Sequence, residues 1–201
     1  MTEPSMWTRI TQENPEHSAA YIQRFKDLAA AGHDLVGEAR LVDAMLPRSS
    51  RVLDAGSGTG RIAAHLAAAG HDVVGVDGDP VLVAAAAEEH PGPRFVVGDL
   101  AELDLPARGI AEPFDVIVSA GNVVTFLAES TRVEVLRRLR RHVREDGRAA
   151  IGFGAGRGYE FVDFLADAAA AGWTPDLLLS TWDLRPFTPD ADFLVALLRP
   201  S

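Results

Sequence analysis

The sequence predicts an α/β domain, a doubly wound and mostly parallel seven-stranded sheet, on three observations. Short apolar runs alternate with helix-patterned segments from residue 51 onward, the order that builds parallel strands with crossover helices. The first apolar run opens into a glycine-rich turn. The last two, 177–184 and 193–199, are separated only by a short connection with a Thr188-Pro189-Asp190 turn. That is too short for a helical crossover, so this pair must run antiparallel.

Taken in order, Tyr21, Ile22, Phe25 and Leu28 recur at helical spacing, and so do Leu35, Val36, Ala39, Val42 and Leu46. Gly32 divides the sets, which predicts two leading helices within residues 15–46. Strands are then expected at 51–53, 73–76, 95–97, 114–118 and 149–153, with helices over 61–69, 81–88 and 130–144. The last helix carries Arg137, Arg138, Arg140, Arg141 and Arg144. Val133, Leu136, Leu139 and Val143 make an apolar stripe opposite most of them, so the arginines read as a solvated face. The chain reads as one domain, with residues 1–47 capping the site and 48–201 forming the core.

Composition narrows the function. The chain has 201 residues, 47% of them hydrophobic, enough for a substantial core. With 19 basic against 29 acidic residues and a formal charge of -10, it lacks the basic balance of a nucleic-acid binder. The absence of cysteine excludes disulfides, thiolate metal sites and cysteine nucleophiles. The six histidines show no ligand-pair spacing, so no metal is expected. No signal-peptide pattern and no membrane-length apolar run occurs, and a cytoplasmic protein without membrane partners is the expectation.

The chemistry concentrates in Asp54-Ala55-Gly56-Ser57-Gly58-Thr59-Gly60, a strand end running into alternating glycines before a helix. Glycines suit a tight turn whose backbone lies against a ligand. Asp77 ends the next strand about 20 residues beyond Gly58, where a carboxylate can accept hydrogen bonds from both hydroxyls of an adenosine ribose. Two details discriminate between nucleoside cofactors. The spacing is G-x-G-x-G, whereas a dinucleotide loop reads G-x-G-x-x-G. Asp54 at the loop head would repel a pyrophosphate but suits a ligand bearing an ammonium and a sulfonium.

With Gly98-Asp99-Leu100 after the third strand and Phe114-Asp115-Val116-Ile117-Val118 in the fourth, residues 48–155 resemble the successive motifs of class I S-adenosylmethionine-dependent methyltransferases. The resemblance implies a Rossmann-like fold with an antiparallel C-terminal strand and S-adenosylmethionine as cofactor. It implies that Gly56, Ser57, Gly58 and Gly60 lie under the methionyl part, with Asp54 near the ammonium. It places Asp77 on the ribose, Asp99 and Leu100 at the adenine edge, Gly78 and Leu82 along the adenine ring, and Ala120 close to the methionyl group. Asn122, Tyr21 and His33 are the candidates for the acceptor side. Gly121-Asn122 resembles the pair in glycine N-methyltransferase-like members, where it would orient substrate; it also reads as a turn.

Other residues have plainer readings. Asp79 before Pro80 fits a helix cap, Asp99 also fits a turn, and Asp115 fits a loop-orienting role. The second glycine cluster, Gly152 to Gly158, reads as a flexible connection over the active-site end. The family's adenine-methylating branch has an acid or asparagine, two prolines and an aromatic after the fourth strand; Ser119-Ala120-Gly121-Asn122-Val123-Val124 departs from it. A small-molecule methyl acceptor is therefore expected, of unspecified identity, as is the oligomeric state. A non-catalytic S-adenosylmethionine-binding subunit, an NAD-dependent oxidoreductase and transfer of an aminopropyl group stay open at this level.

Overall fold

The computed structural model describes residues 2–201. Seven strands form one sheet: β1 (Arg51–Ala55), β2 (Asp72–Asp77), β3 (Arg94–Val97), β4 (Phe114–Ser119), β5 (Val143–Gly154), β6 (Trp173–Leu179) and β7 (Phe193–Pro200). Their spatial order is β3-β2-β1-β4-β5-β7-β6. The pairs β1·β2, β1·β4, β2·β3 and β4·β5 are parallel, whereas β7 runs antiparallel to both β5 and β6. The expected sheet class and its antiparallel C-terminal strand are both present.

Alternate side chains of the strands feed two apolar layers, as the period of two demands. On one face Leu53, Ile117 and Phe153 pack with Leu136 and Leu139 of α6 (Arg132–His142), with Phe164 of α7 (Phe161–Ala170) and with Trp173. On the other, Val52, Val118 and Ala150 pack with Ala39 and Val42 of α3 (Gly37–Ala44) and Ile62 and Leu66 of α4 (Arg61–Ala68). The chain builds β2 and β3 outward from β1 on one side, then returns to lay β4 on the other. Such a reversal leaves a crevice at the carboxyl ends of β1 and β4, where α/β folds bind ligands.

Three details differ from the sequence expectation. Ahead of α2 (His17–Ala30) and α3, the two expected helices, stands a third, α1 (Met6–Glu13), capped by the Ser5 hydroxyl. The penultimate strand begins at Trp173 and ends at Leu179, so residues 180–192 form a longer connection than the leucine run suggested. Pro175 sits at an irregularity of this edge strand, a place where a missing N–H is tolerated. Finally, α6 ends at His142 and Val143 already belongs to β5. Three of its arginines are half-buried and paired, Arg137 and Arg138 with Glu134 and Arg140 with Glu145, so within α6 the expected solvated face is exposed only at Arg141.

Candidate functional site

A cavity of about 370 Å³ opens at the carboxyl ends of β1, β2 and β4, within the size range of small-ligand sites. Its floor is the glycine loop. The amides of Gly56 and Ser57 both donate to the Val76 carbonyl, at 2.8 and 3.0 Å, and that of Gly60 donates to Ser57 at 2.9 Å. The Gly58 amide donates to Asp77 Oδ2 at 2.8 Å. These donors are spent within the protein. The loop therefore offers no row of free amides to a pyrophosphate, the feature on which dinucleotide binding depends.

Asp77, at the end of β2, also receives the Asp79 amide on Oδ1 at 2.9 Å. Each carboxylate oxygen accepts one amide and keeps a lone pair for a ligand hydroxyl. Burial pushes the Asp77 carboxyl above the usual carboxylate range, against the pull of these two amides. Gly58 adopts φ +53°, and a Cβ there would point toward the Tyr21 hydroxyl, 3.7 Å away across the cavity edge. The hydroxyl of Ser57, on the same wall, is buried without a hydrogen-bond partner among the described residues.

Nine of the eleven residues expected around the cofactor line this cavity: Gly56, Ser57, Gly58, Asp77, Gly78, Leu82, Asp99, Leu100 and Ala120. Asp54 and Gly60 are exceptions. Asp54 is only 1% exposed beneath the loop, where Oδ2 accepts the Ala63 amide at 3.2 Å and so caps the first turn of α4. Burial pushes its carboxyl up to about 7, although Arg61 and the Ala63 amide oppose the shift. Gly60 is selected by packing, because at φ +79° a Cβ would press to 2.6 Å from the Phe95 ring and 3.1 Å from Ala86. Asp99 makes the expected turn bond and also faces the cavity. It lines the cavity while Oδ1 holds the Ala101 amide at 2.8 Å.

Of the three acceptor-side candidates, Tyr21 and Asn122 line the cavity and His33 does not. His33 is exposed just after the helix-ending Gly32, which carries the chain away at φ +78°. The Tyr21 phenol is pushed above its usual range by burial, against the nearby charge of Arg61. Asn122 adopts the left-handed conformation at φ +67°, and its Oδ1 accepts the Gly154 amide at 2.8 Å. Its side chain thus ties the end of β4 to the end of β5. The acceptor atom is taken by the protein, which leaves the amide N–H groups to offer.

Sequence reasoning missed the wall contributed by α1. Trp7 meets Tyr21 and Phe126 edge-on, at centroid distances of 5.2 and 5.6 Å, and Tyr21 meets Phe25 at 4.8 Å. All four rings line the cavity, together with Arg24, Arg61 and Arg157. Trp7 is anchored by Asp79 of the α5 cap (α5, Pro80–Glu89), which also accepts the Ser18 hydroxyl at 2.5 Å. Asp79 is thus the helix cap expected and, beyond it, the clasp that holds the leading helices over the site. Trp7 could have been noticed as an aromatic two residues past a serine cap, but eight residues of mixed polarity give no periodicity to read.

Residues 52–147 match the model of a methyltransferase domain family. A TehB-like S-adenosylmethionine-dependent methyltransferase from Corynebacterium glutamicum is 50% identical in sequence, with 94% of this chain and all of that one covered and a TM-score of 0.89. The Burkholderia thailandensis 1,6-didemethyltoxoflavin-N1-methyltransferase shares the fold at 22% identity, with 94% and 89% of the chains covered and a TM-score of 0.65. A sugar N-methyltransferase from Streptoalloteichus does so at 20% identity, 88% and 93% coverage and a TM-score of 0.67. No curated protein sequence matches the chain.

Proposed function

Because the chain belongs to the class I S-adenosylmethionine-dependent methyltransferases, we propose that it methylates a small-molecule acceptor held in the cavity between the glycine loop and the aromatic wall. S-adenosylmethionine is its cofactor and methyl transfer its reaction. The observation that carries the site assignment is the Asp77 carboxylate, held by two backbone amides with one lone pair on each oxygen left toward the cavity.

When bound, S-adenosylmethionine supplies a methyl group on a sulfonium, an electrophile whose leaving group is a neutral thioether. The residues assigned to hold it fit its chemistry. Asp77 receives the ribose hydroxyls, Gly78 and Leu82 lie along the adenine, and Asp99 with Leu100 meets its edge. Gly56, Ser57 and Gly58 lie under the methionyl part, where the unpartnered Ser57 hydroxyl has a group to bond, and Ala120 approaches it from β4. Gly60 contributes by shaping the loop. Asp54 acts through the wall, as a buried carboxylate whose ionised form a cationic ligand favours.

The leaving thioether needs no acid, so most of the catalysis falls to positioning. Asn122 and Tyr21 are assigned to the acceptor side, Asn122 through its amide N–H groups and Tyr21 through its ring face. The small-molecule class rests on the size of the cavity, the acidic net charge and the fold neighbours named for a toxoflavin precursor and a sugar. No helix among the described residues is long and apolar enough to cross a membrane, in keeping with the cytoplasmic location we assign. The chain is assigned as a single domain.

Isothermal titration of the purified protein with S-adenosylmethionine, S-adenosylhomocysteine and NADH tests this reading. Binding of the first two alone is expected. Binding of NADH alone would overturn it, and persistent inactivity toward small acceptors together with a stable partner complex would favour a non-catalytic subunit.

A further inference from the structure

Of the 18 arginines, all but three make an ion pair or a side-chain hydrogen bond among the described residues. The three are Arg24, Arg141 and Arg157, and two of them, Arg24 and Arg157, line the cavity. They come from different elements, Arg24 from α2 near Tyr21 and Arg157 from the loop after β5. Arg157 folds back over Gly154: its Nε lies 3.4 Å from where a Gly154 Cβ would stand, and Asn122 Oδ1 lies 3.7 Å from the same point. Both side chains are exposed at the cavity mouth, and two guanidinium groups without an internal acidic partner on one cavity lining suit a negative ligand there.

The rest of the lining agrees. Its carboxylates are Asp77 and Asp99, both assigned to the nucleoside, and Arg61 is already paired with Glu38 at 2.6 Å. The lining contains no histidine or glutamate, and Tyr21 is a phenol pushed further from ionisation by burial. No group there is suited to remove a proton from an alcohol or an ammonium near neutral pH. Four aromatic rings would suit a cationic amine, but two arginines on the same cavity lining repel one.

We propose that the methyl acceptor is anionic, an ionised acid, thiol or acidic phenol held by Arg24 and Arg157, and that its own charged atom takes the methyl group. This rests on the methyltransferase reading above. The acceptor's lone pair forms the bond to the methyl carbon while the carbon–sulfur pair returns to sulfur. The acceptor anion and the sulfonium are both neutralised, and no proton moves. The arginines lower the acceptor's pKa, which raises the ionised fraction and replaces a base.

The test begins with S-adenosylhomocysteine and 5′-methylthioadenosine, which lacks the amino-acid carboxylate. Arg24→Gln and Arg157→Gln are expected to bind both within about twofold of wild type. Loss confined to S-adenosylhomocysteine would show that the arginines hold the cofactor's carboxylate, and would overturn the proposal. The protein saturated with S-adenosylhomocysteine is then titrated with benzoate and benzamide, and turnover is compared for thiophenol and benzyl alcohol. Benzoate should bind more tightly than benzamide by about tenfold or more, and either substitution should erase that preference. Thiophenol should be methylated and benzyl alcohol left untouched. Equal binding of the acid and its amide, binding of neither, or preferred methylation of the alcohol would overturn the proposal. Failure of wild type to bind S-adenosylhomocysteine would instead overturn the methyltransferase site itself.

Discussion

Trp7 and Asp79 lie 72 positions apart in sequence, and the indole Nε1 donates to the carboxylate at 2.9 Å. The same Oδ2 accepts the Ser18 hydroxyl, while Oδ1 accepts the amides of Val81 and Leu82 at 2.8 and 3.4 Å. One side chain therefore fastens α1 and α2 to the first turn of α5. Although burial pushes its carboxyl up, the hydrogen bonds from Ser18, Trp7 and the two amides hold it below the usual range.

Asp79→Ala should cost about 4 kcal/mol, about 1 for the lost helix cap and about 1.5 for each of the two charge-assisted bonds. Urea unfolding would measure it. A lowered folded pKa means that the Asp79 contribution is present above the unfolded carboxylate range and is lost as pH falls through the folded value. The stability gap between wild type and Asp79→Ala should therefore close in acid. A gap unchanged down to the lowest pH would leave the clasp without energetic weight.

Asp77→Ala should weaken S-adenosylhomocysteine binding by more than about tenfold, since hydrogen bonds to a charged group contribute roughly 1.5–3 kcal/mol. Asp77→Asn keeps an acceptor for one backbone amide and should fall between the two. Unchanged affinity in a folded Asp77→Ala protein would remove Asp77 from the ribose.

Asp54 predicts a pH signature of opposite sign. Its carboxyl rises from the usual 3.8 to about 7 because it is buried, so the folded chain binds more protons than the unfolded one between those values. Its contribution to stability should fall as pH rises through that window, and Asp54→Asn should abolish the slope. A cationic ligand favours the ionised form, so cofactor binding near pH 6 should release a proton. Titration in two buffers of different ionisation enthalpy reads that proton directly. Equal binding enthalpies would show that Asp54 does not sense the ligand.

The two glycines at the loop should separate binding from packing. Gly58→Val places atoms beside Tyr21 at the cavity edge and should abolish cofactor binding. Gly60→Ala drives a Cβ into the Phe95 ring and should destabilise the fold by about 1–3 kcal/mol. A Gly58→Val protein that binds normally would mean the loop lies elsewhere relative to the ligand.

Much of this was legible in the sequence because the strands of a covered parallel sheet are continuous apolar runs and the glycine turn has fixed spacing. The elements that escaped are those without an apolar signature. The first five residues of β5, Val143 to Gly147, are mostly charged and exposed, and α1 has no buried residue. Asp54 escaped for a different reason. Its sequence neighbours show a carboxylate at the head of a binding loop, but whether that carboxylate faces the ligand or the helix beneath depends on α4 packing, which no local pattern records. The Asn122 link to Gly154 likewise joins residues brought together only when β4 and β5 pair.

That link makes Asn122 the most discriminating position to change. Asn122→Ala loses the acceptor for the Gly154 amide and forces a Cβ residue to hold φ +67° without asparagine's tolerance of that region. It should cost about 2 kcal/mol, one unit each for the bond and the backbone. Asn122→Gly restores the backbone freedom and should recover part of that loss. Asn122→Asp keeps both the acceptor and the left-handed conformation, so stability should hardly move, yet it removes the amide N–H groups and adds a negative charge. If those groups orient an acceptor, kcat/KM should fall by more than about tenfold while cofactor affinity is retained. If Asn122→Asp instead turns over at the wild-type rate, the residue serves only to tie the two strand ends together.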